Sequence, residues 1–399
     1  MTHRRHTSAY AWEVFHHDYS RREPLPRKPS WILAYATIDV PLEASLGTLT
    51  AAHPGVPVFG CTSFQGVFSP KGFARGMQLL VGEASDGVSV HVVFRSGGAG
   101  GARAAARAAA ADLRAALPGE IDHLLLHATP GFEEAILEGV EEGFGGAPPA
   151  VYGGSAADDD LSGAWRIFSN HRSASEGFVL VGFSAKHGAV GSFVSGYTAS
   201  STRGVVTGVQ GRTVRSINGK PAADVYNAWT QGAITAHLQG GVVLSETTLH
   251  PLGRAVDKHA SVKRYVLSHP HQVIQGGSLS LFTDVKMGDE LVLMLGSQSA
   301  LIDRTEQAVR RAIGSTVSTG SLAGAILIYC GGCVGALGNA VHGVARGFEA
   351  IVGGAPFVGA ATFGEQGSFP VVKTESSAGQ QRMNRHGNLM CDTVMFRAH

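Results

Sequence analysis

VPVFGCTSFQG, Val56 to Gly66, is a short apolar strand that stops at a glycine and runs on into cysteine, threonine and serine. The same form returns as PAVYGGSAADD, Pro149 to Asp159, and as APFVGAATFGE, Ala355 to Glu365. A strand that ends in glycine and small or hydroxyl residues leaves backbone N–H groups and hydroxyls open to a neighbour. Repetition of that form at distant points predicts a duplicated strand–loop unit, with the corresponding loops gathered at one mouth. Ahead of each loop lies a strand-and-helix pattern. WILAYATIDV (Trp31 to Val40) precedes the helical PLEASLGTLTAA, IDHLLLHAT (Ile121 to Thr129) precedes GFEEAILEGVEEGF, and AGAILIYCGG (Ala323 to Gly332) precedes a helix through about Arg346.

Between these blocks, GARAAARAAAADLRAALPG is an alanine-rich helix stopped by Pro118-Gly119, and GFVLVGFSA and GAVGSFVSG read as paired strands. RTVRSINGKPAADVYNAW reads as a hairpin followed by a helix, and SALIDRTEQAVRRAIG as an amphipathic helix. The fold class expected is mixed α/β (α+β): two related halves of β-sheets flanked by helices, with duplicated strand–glycine-loop units. The expected domains are a basic arm at 1–29, a first domain at 30–208 and a second at 209–399.

The 399 residues suffice for two or three domains, and 44% apolar with 16% charged residues describes a globular chain. A net charge of +1 favours neither nucleic acid nor an anionic membrane as partner. No signal-peptide pattern and no membrane-length apolar run is present, and four cysteines make no disulfide scaffold, so a reduced, cytoplasmic protein is expected.

Several residue groups could carry chemistry. The C-G-G-C of Cys330 to Cys333 sits at a strand–helix junction. It reads as a metal clamp, as a redox pair at a helix start, as small-residue packing, or as a pocket loop. The metal reading is weakened by missing partners: Cys61 and Cys391 are isolated in sequence, and His269 and His271, two apart, offer only a distant site. Gly60, Cys61, Thr62 and Ser63 form a loop suited to a polar ligand or to a self-satisfied turn. Asp158, Asp159 and Asp160 read as a cation or amine contact or as a solvated turn, without the alternation of a calcium loop. Any of His123, His127, His171, His250, His259, His269, His271 and His342 could serve as an axial haem ligand, but no C-x-x-C-H is present. GGAGGAR lacks the G-x-G-x-x-G spacing, and no Walker loop, G-x-S-x-G or H-E-x-x-H occurs.

Taken in order, these pieces resemble the FIST family. VPVFGCTSFQGVFSPKGF and PAVYGGSAADD are similar to two junctions of FIST-N domains. GRTVRSINGKPAADVYNAW resembles the opening of FIST-C, and AGAILIYCGGCVGALG with APFVGAATFGEQGSF its close. The resemblance implies a sensory, ligand-binding module of bacterial signal transduction, with small ligands such as amino acids. It carries over Gly60, Cys61, Thr62, Gly153, Gly154, Ser155, Asp158, Asp159, Cys330, Gly359, Gly364 and Glu365, to which Ser63, Gly331 and Thr362 are added as neighbours in the loops. Two positions depart from the pattern: Gln65-Gly66-Val67 lacks an acidic residue, and Cys333 stands where a basic residue is frequent.

The function expected is a stand-alone cytoplasmic sensor that binds a small polar ligand between two FIST halves and signals through a partner such as a histidine kinase. A haem-based nitric-oxide sensor, and an enzyme or redox protein using Cys330 with Cys333 or Cys61, are the alternatives. The cofactor is left unassigned, with haem the one considered, and no metal site is assigned.

Overall fold

The computed structural model describes residues 13–16, 29–83, 88–117, 119–185, 188–256, 263–314, 322–369 and 382–397. Three parallel strand pairs organise it: Pro29–Ala36 with Val58–Thr62, His123–Ala128 with Ala150–Ser155, and Leu322–Cys330 with Phe357–Thr362. Parallel strands need a crossover, and each pair has a helical one. These are Leu42–Ala52, Glu133–Gly143, and Gly331–Leu337 with His342–Ile351.

After the second strand of each pair the chain leaves its own sheet. The hairpin Val67–Ser69 with Gly72–Ala74 extends the third sheet beside Phe357–Thr362. The hairpin Ile167–Ser169 with Arg172–Ala174 extends the first beside Val58–Thr62. The hairpin Glu365–Phe369 with Met383–Gly387 extends the second beside Ala150–Ser155. The chain then returns as the antiparallel partner of its own first strand, as Met77–Glu83, Gly177–Ala185 and Cys391–Arg397. Three six-stranded sheets result, each completed by a hairpin borrowed from another unit. The expected mixed α/β class with repeated strand–glycine-loop units is what the chain forms, and the unit occurs three times.

Alternation along the strands places the core. Trp31, Leu33 and Tyr35 of the first sheet, Leu125 and Val181 of the second, and Ile326 and Ile328 of the third share one central cluster. Their neighbours point the other way, onto helices: Ile32 and Ala34 meet Leu46 and Leu49, and Leu124 and Leu126 meet Ala106 and Leu113. Both faces of the central strands are therefore buried, which explains why WILAYA, HLLLHA and AILIYC are continuous apolar runs rather than alternating ones.

The strand Ala189–Val194 joins the edge of the third sheet beside Cys391–Arg397. Before the helix Gln298–Ile313 follows, the chain builds a separate nine-stranded sheet that includes Thr198–Gln210, Thr213–Ile217 and Glu290–Leu295. This inserted sheet has its own core around Val206, Tyr226, Leu252 and Leu291. Residue 208, the boundary expected from composition, lies inside the strand Thr198–Gln210. Within 1–29, the strand Glu13–His16 pairs with Met77–Glu83 at the edge of the first sheet. Among the described residues no helix is long and apolar enough to cross a membrane.

Candidate functional site

The three glycine bends meet. Gly60, Gly153 and Gly359 occupy equivalent positions, each opposite a residue of the borrowed hairpin: Phe168, Gln366 and Phe68. Close strand packing requires glycine at the first two. A Cβ on Gly60 would lie 1.7 Å from the Ala34 carbonyl oxygen, one on Gly153 1.9 Å from that of Leu126, and both glycines have positive φ (156° and 146°). Beyond the bends the loops bond to one another in a ring. Ala157 N–H donates to Thr62 O (3.0 Å), Phe64 N–H to Ala361 O (2.9 Å) and Phe363 N–H to Ser155 O (3.0 Å). Counted from its glycine, each donor is the fourth residue on and each acceptor the second.

The ring consumes most of the hydrogen-bonding capacity that the sequence offered to a ligand. Cys61, Thr62, Ser63, Ser155, Asp158, Thr362 and Glu365 are all buried. Thr62 Oγ1 accepts from Arg166 N–H (2.9 Å), and Ser63 Oγ accepts from Ala361 N–H (2.8 Å) while donating to Gly66 O (2.5 Å). Gly154 lies against Thr362, where a Cβ would come within 2.5 Å of Oγ1. Asp158 caps its own turn, accepting from the N–H groups of Leu161, Gly163 and Ala164 at 2.7–2.8 Å. Asp159 accepts from Gln65 N–H (2.9 Å) and pairs with Arg75 (2.9 Å), which also holds Asp39. Cys61 packs 3.6 Å from His127 Nδ1, and burial pushes its thiol up.

Around the ring stand partly buried aromatic side chains. Phe64 and Phe363 lie 5.7 Å apart, and Trp165 meets Phe363 edge-on at 6.3 Å. Gly331 fits beneath them because it lacks a side chain: a Cβ there would press on Phe363 and Phe64 at 3.2–3.3 Å. Cys330, which precedes it, is 4% exposed.

On one side of the ring lies a buried sulfur–guanidinium group that the sequence reading missed. Arg304, on Gln298–Ile313, is fully buried. Its Nη1 donates to Leu389 O (2.7 Å) and its guanidinium covers the Tyr329 ring at 4.0 Å. Burial opposes ionisation of both cysteines, yet hydrogen bonding from Cys330 and the charge of Arg304 bring the Cys333 thiol down to about 6. Cys330 is pushed up. The basic group absent at position 333 is thus supplied by another helix. Glu365 accepts from Met390 N–H and Thr362 Oγ1, both at 2.9 Å, and burial pushes its carboxyl up to about 8.

A second missed group lies on the opposite face of the same strand, as alternation requires for Gln366. Glu133 accepts from Ser155 Oγ (2.8 Å) and, with Glu134, binds Arg212 of the inserted sheet at 2.8 and 2.6 Å. His386 completes it beside Gln366 (3.2 Å). The one available signal was Glu133 on the apolar side of GFEEAIL.

The histidines that could have served a haem are held by their neighbours. His123 stacks on Phe183 at 4.7 Å, His127 is held by the Tyr35 hydroxyl at 3.2 Å, and His269 contacts Leu244 O at 3.2 Å. His271 stacks on Phe282 at 4.2 Å. His127, His269 and His271 thus have ring nitrogens engaged in hydrogen bonds, whereas His123 is fixed by packing alone. His171 and His342 are exposed, His250 is half-buried, and His259 lies outside the described residues.

A search of the curated proteins finds no match for the chain. Among protein families, the FIST N domain matches residues 30–220 and the FIST C domain residues 222–368. With both domains present in order over most of its length, the chain belongs to the FIST family, whose domains are associated with sensing of small ligands in signal transduction.

Proposed function

We propose that the chain is a cytoplasmic sensor that takes a small polar ligand, an amino acid or a related metabolite, at the mouth above the loop ring. The observation that supports this reading is the convergence of equivalent loops from all three units beneath Phe64, Trp165 and Phe363. The ring atoms themselves are spent on one another. Recognition therefore falls to the aromatic faces, to the edge of Cys330 at Gly331, and to the rim charges Arg75 and Asp159. A ligand that reorients Phe64 and Phe363 acts on residues whose own N–H groups tie unit to unit. That is the differential contact a two-state signal to a partner, such as a histidine kinase, requires.

The test is a thermal-shift screen of amino acids and related metabolites on the full chain, repeated with Phe363→Ala. A hit whose shift is lost in the variant supports the mouth, whereas a silent panel, or a hit indifferent to Phe363→Ala, overturns it.

A further inference from the structure

The three units act as internal controls for one another, and in one place the second unit breaks the pattern with charge. Opposite the first and third bends stand Phe168 and Phe68, both in apolar clusters, whereas opposite Gly153 stands Gln366. The first crossover helix begins with buried Leu42, the second with buried Glu133. A hydrophobic site has become a polar one, and burying polar groups is costly unless something satisfies them.

His386 is the group left unsatisfied. It is 3% exposed, its Nε2 has no hydrogen-bond partner among the described residues, and that nitrogen faces Glu133 Oε1 at 3.9 Å, too far for a hydrogen bond. One ligand atom from each of Glu133, Glu134 and His386 lies within 4.8 Å of the others. Charge points the same way. Glu133, Glu134 and Asp284 converge on a single guanidinium, Arg212, while the neighbouring Arg254 has Asp289 at 3.8 Å. Four carboxylates therefore face the guanidiniums of Arg212 and Arg254, with Arg385 close by, and beside them stands an imidazole nitrogen with no hydrogen-bond partner among the described residues.

We propose that Glu133, Glu134 and His386 form a site for one divalent transition-metal ion. An imidazole beside carboxylates suits Zn²⁺ or Mn²⁺ better than the all-oxygen preference of Ca²⁺ or Mg²⁺. Bonding distances of about 2.0–2.2 Å require the three side chains to close in, with Glu133 and Glu134 sharing or releasing the hydrogen bonds they accept from Ser155 Oγ, Gly131 N–H and Asp284 N–H. A metal-bound imidazole also needs an acceptor for its other N–H. Gln366 can supply it: its amide nitrogen lies 3.2 Å from His386 Nδ1, and its Oε1 is buried without a partner. Turning the amide over brings Oε1 to the ring, in exchange for the bond that the amide nitrogen now donates to Ser155 Oγ (3.1 Å). The ion would tie the second unit's crossover helix to the hairpin Glu365–Phe369 with Met383–Gly387, next to the point where Arg212 anchors the inserted sheet.

The test uses the untagged full chain, freed of metal by chelator, in calorimetric titration with Zn²⁺ and with Mn²⁺. Absorption of Co²⁺ provides a spectroscopic reading of the same site. The expected result is one tight equivalent of Zn²⁺ or Mn²⁺, weakened about tenfold or more by His386→Ala and separately by Glu134→Gln, and untouched by His342→Ala on the surface. Glu134 is only half-buried, so Glu134→Gln keeps the test valid if His386→Ala fails to fold. Binding that survives Glu134→Gln, or no stoichiometric binding of either ion by the folded parent, overturns the proposal.

Discussion

A methyl group on Gly60 would be placed 1.7 Å from the Ala34 carbonyl oxygen, a backbone atom inside a paired strand that cannot move aside cheaply. Gly60→Ala and Gly153→Ala should each cost roughly 3 kcal/mol or more, from clash and positive φ together. Gly47→Ala, on the helix Leu42–Ala52 with nothing within 4 Å of its Cβ, should stabilise by about 0.5–1 kcal/mol. Urea denaturation of the three variants decides it, since equal losses would remove the steric argument. Glu365 gives a second prediction. Burial lifts its carboxyl from 4.5 to about 8, so below about pH 4.5 both folded and unfolded chains hold the proton. Between about pH 4.5 and 8 only the folded chain does, and stability falls as pH rises. Glu365→Gln lacks that dependence. Its stability relative to the parent should climb by a few kcal/mol across this range and level off above it; parallel unfolding midpoints across the range would exclude the effect. The positions of the loop glycines were legible because strand-then-glycine is a local pattern, but their role was not: they permit close strand packing rather than opening N–H groups to a ligand. Burial of Glu365 was not legible, because its equivalents in the other hairpins are Val67 and Ile167, which carry no hint of a carboxylate.

At the scale of elements, the three loop junctions are built alike except for one substitution of parts. In the first, Thr62 N–H donates to Arg166 O (2.8 Å), and in the second Ser155 N–H donates to Gly364 O (2.9 Å). In the third, the equivalent Ala361 N–H reaches Ser63 Oγ, which passes the bond on to Gly66 O. Ser63→Ala should therefore strand a buried donor and a buried acceptor and cost about 1–3 kcal/mol. The accompanying loss of protection should centre on the amide of Ala361, as read by hydrogen exchange. Protection at Ala361 equal to that of the parent would mean that the hydroxyl bridge is dispensable. The long central strands could be read from sequence, since burial on both faces leaves uninterrupted apolar runs. The exchange of hairpins could not. Ile167–Ser169 is three residues long and pairs with Val58–Thr62 more than a hundred positions earlier, and so short a strand has no periodicity to read.

For the whole molecule, the cyclic exchange of hairpins makes the three sheets depend on one another, while the inserted sheet keeps a separate core. Convergence of the loops was legible as a repeated motif. The polar group of Glu133, Gln366, His386 and Arg212 was not, because three distant segments and the insert supply it. Arg212 is the hinge of this relation: it lies in the turn between the strands Thr198–Gln210 and Thr213–Ile217 of the inserted sheet, is largely buried, and binds Glu133, Glu134 and Asp284. Replacing it by methionine keeps the length of the side chain but leaves Glu133 buried without its counter-charge, a loss of about 3–5 kcal/mol for a buried pair broken on one side. Part of that loss should appear as separation rather than global unfolding. Amides of the inserted sheet would lose protection in Arg212→Met, while those of Phe64, Ala157 and Phe363, locked in the loop ring, would exchange only when the whole three-sheet body opens. Uniform loss of protection over both regions would show instead that the insert and the three sheets unfold as one unit, with Arg212 as an internal strut rather than a coupling between two bodies.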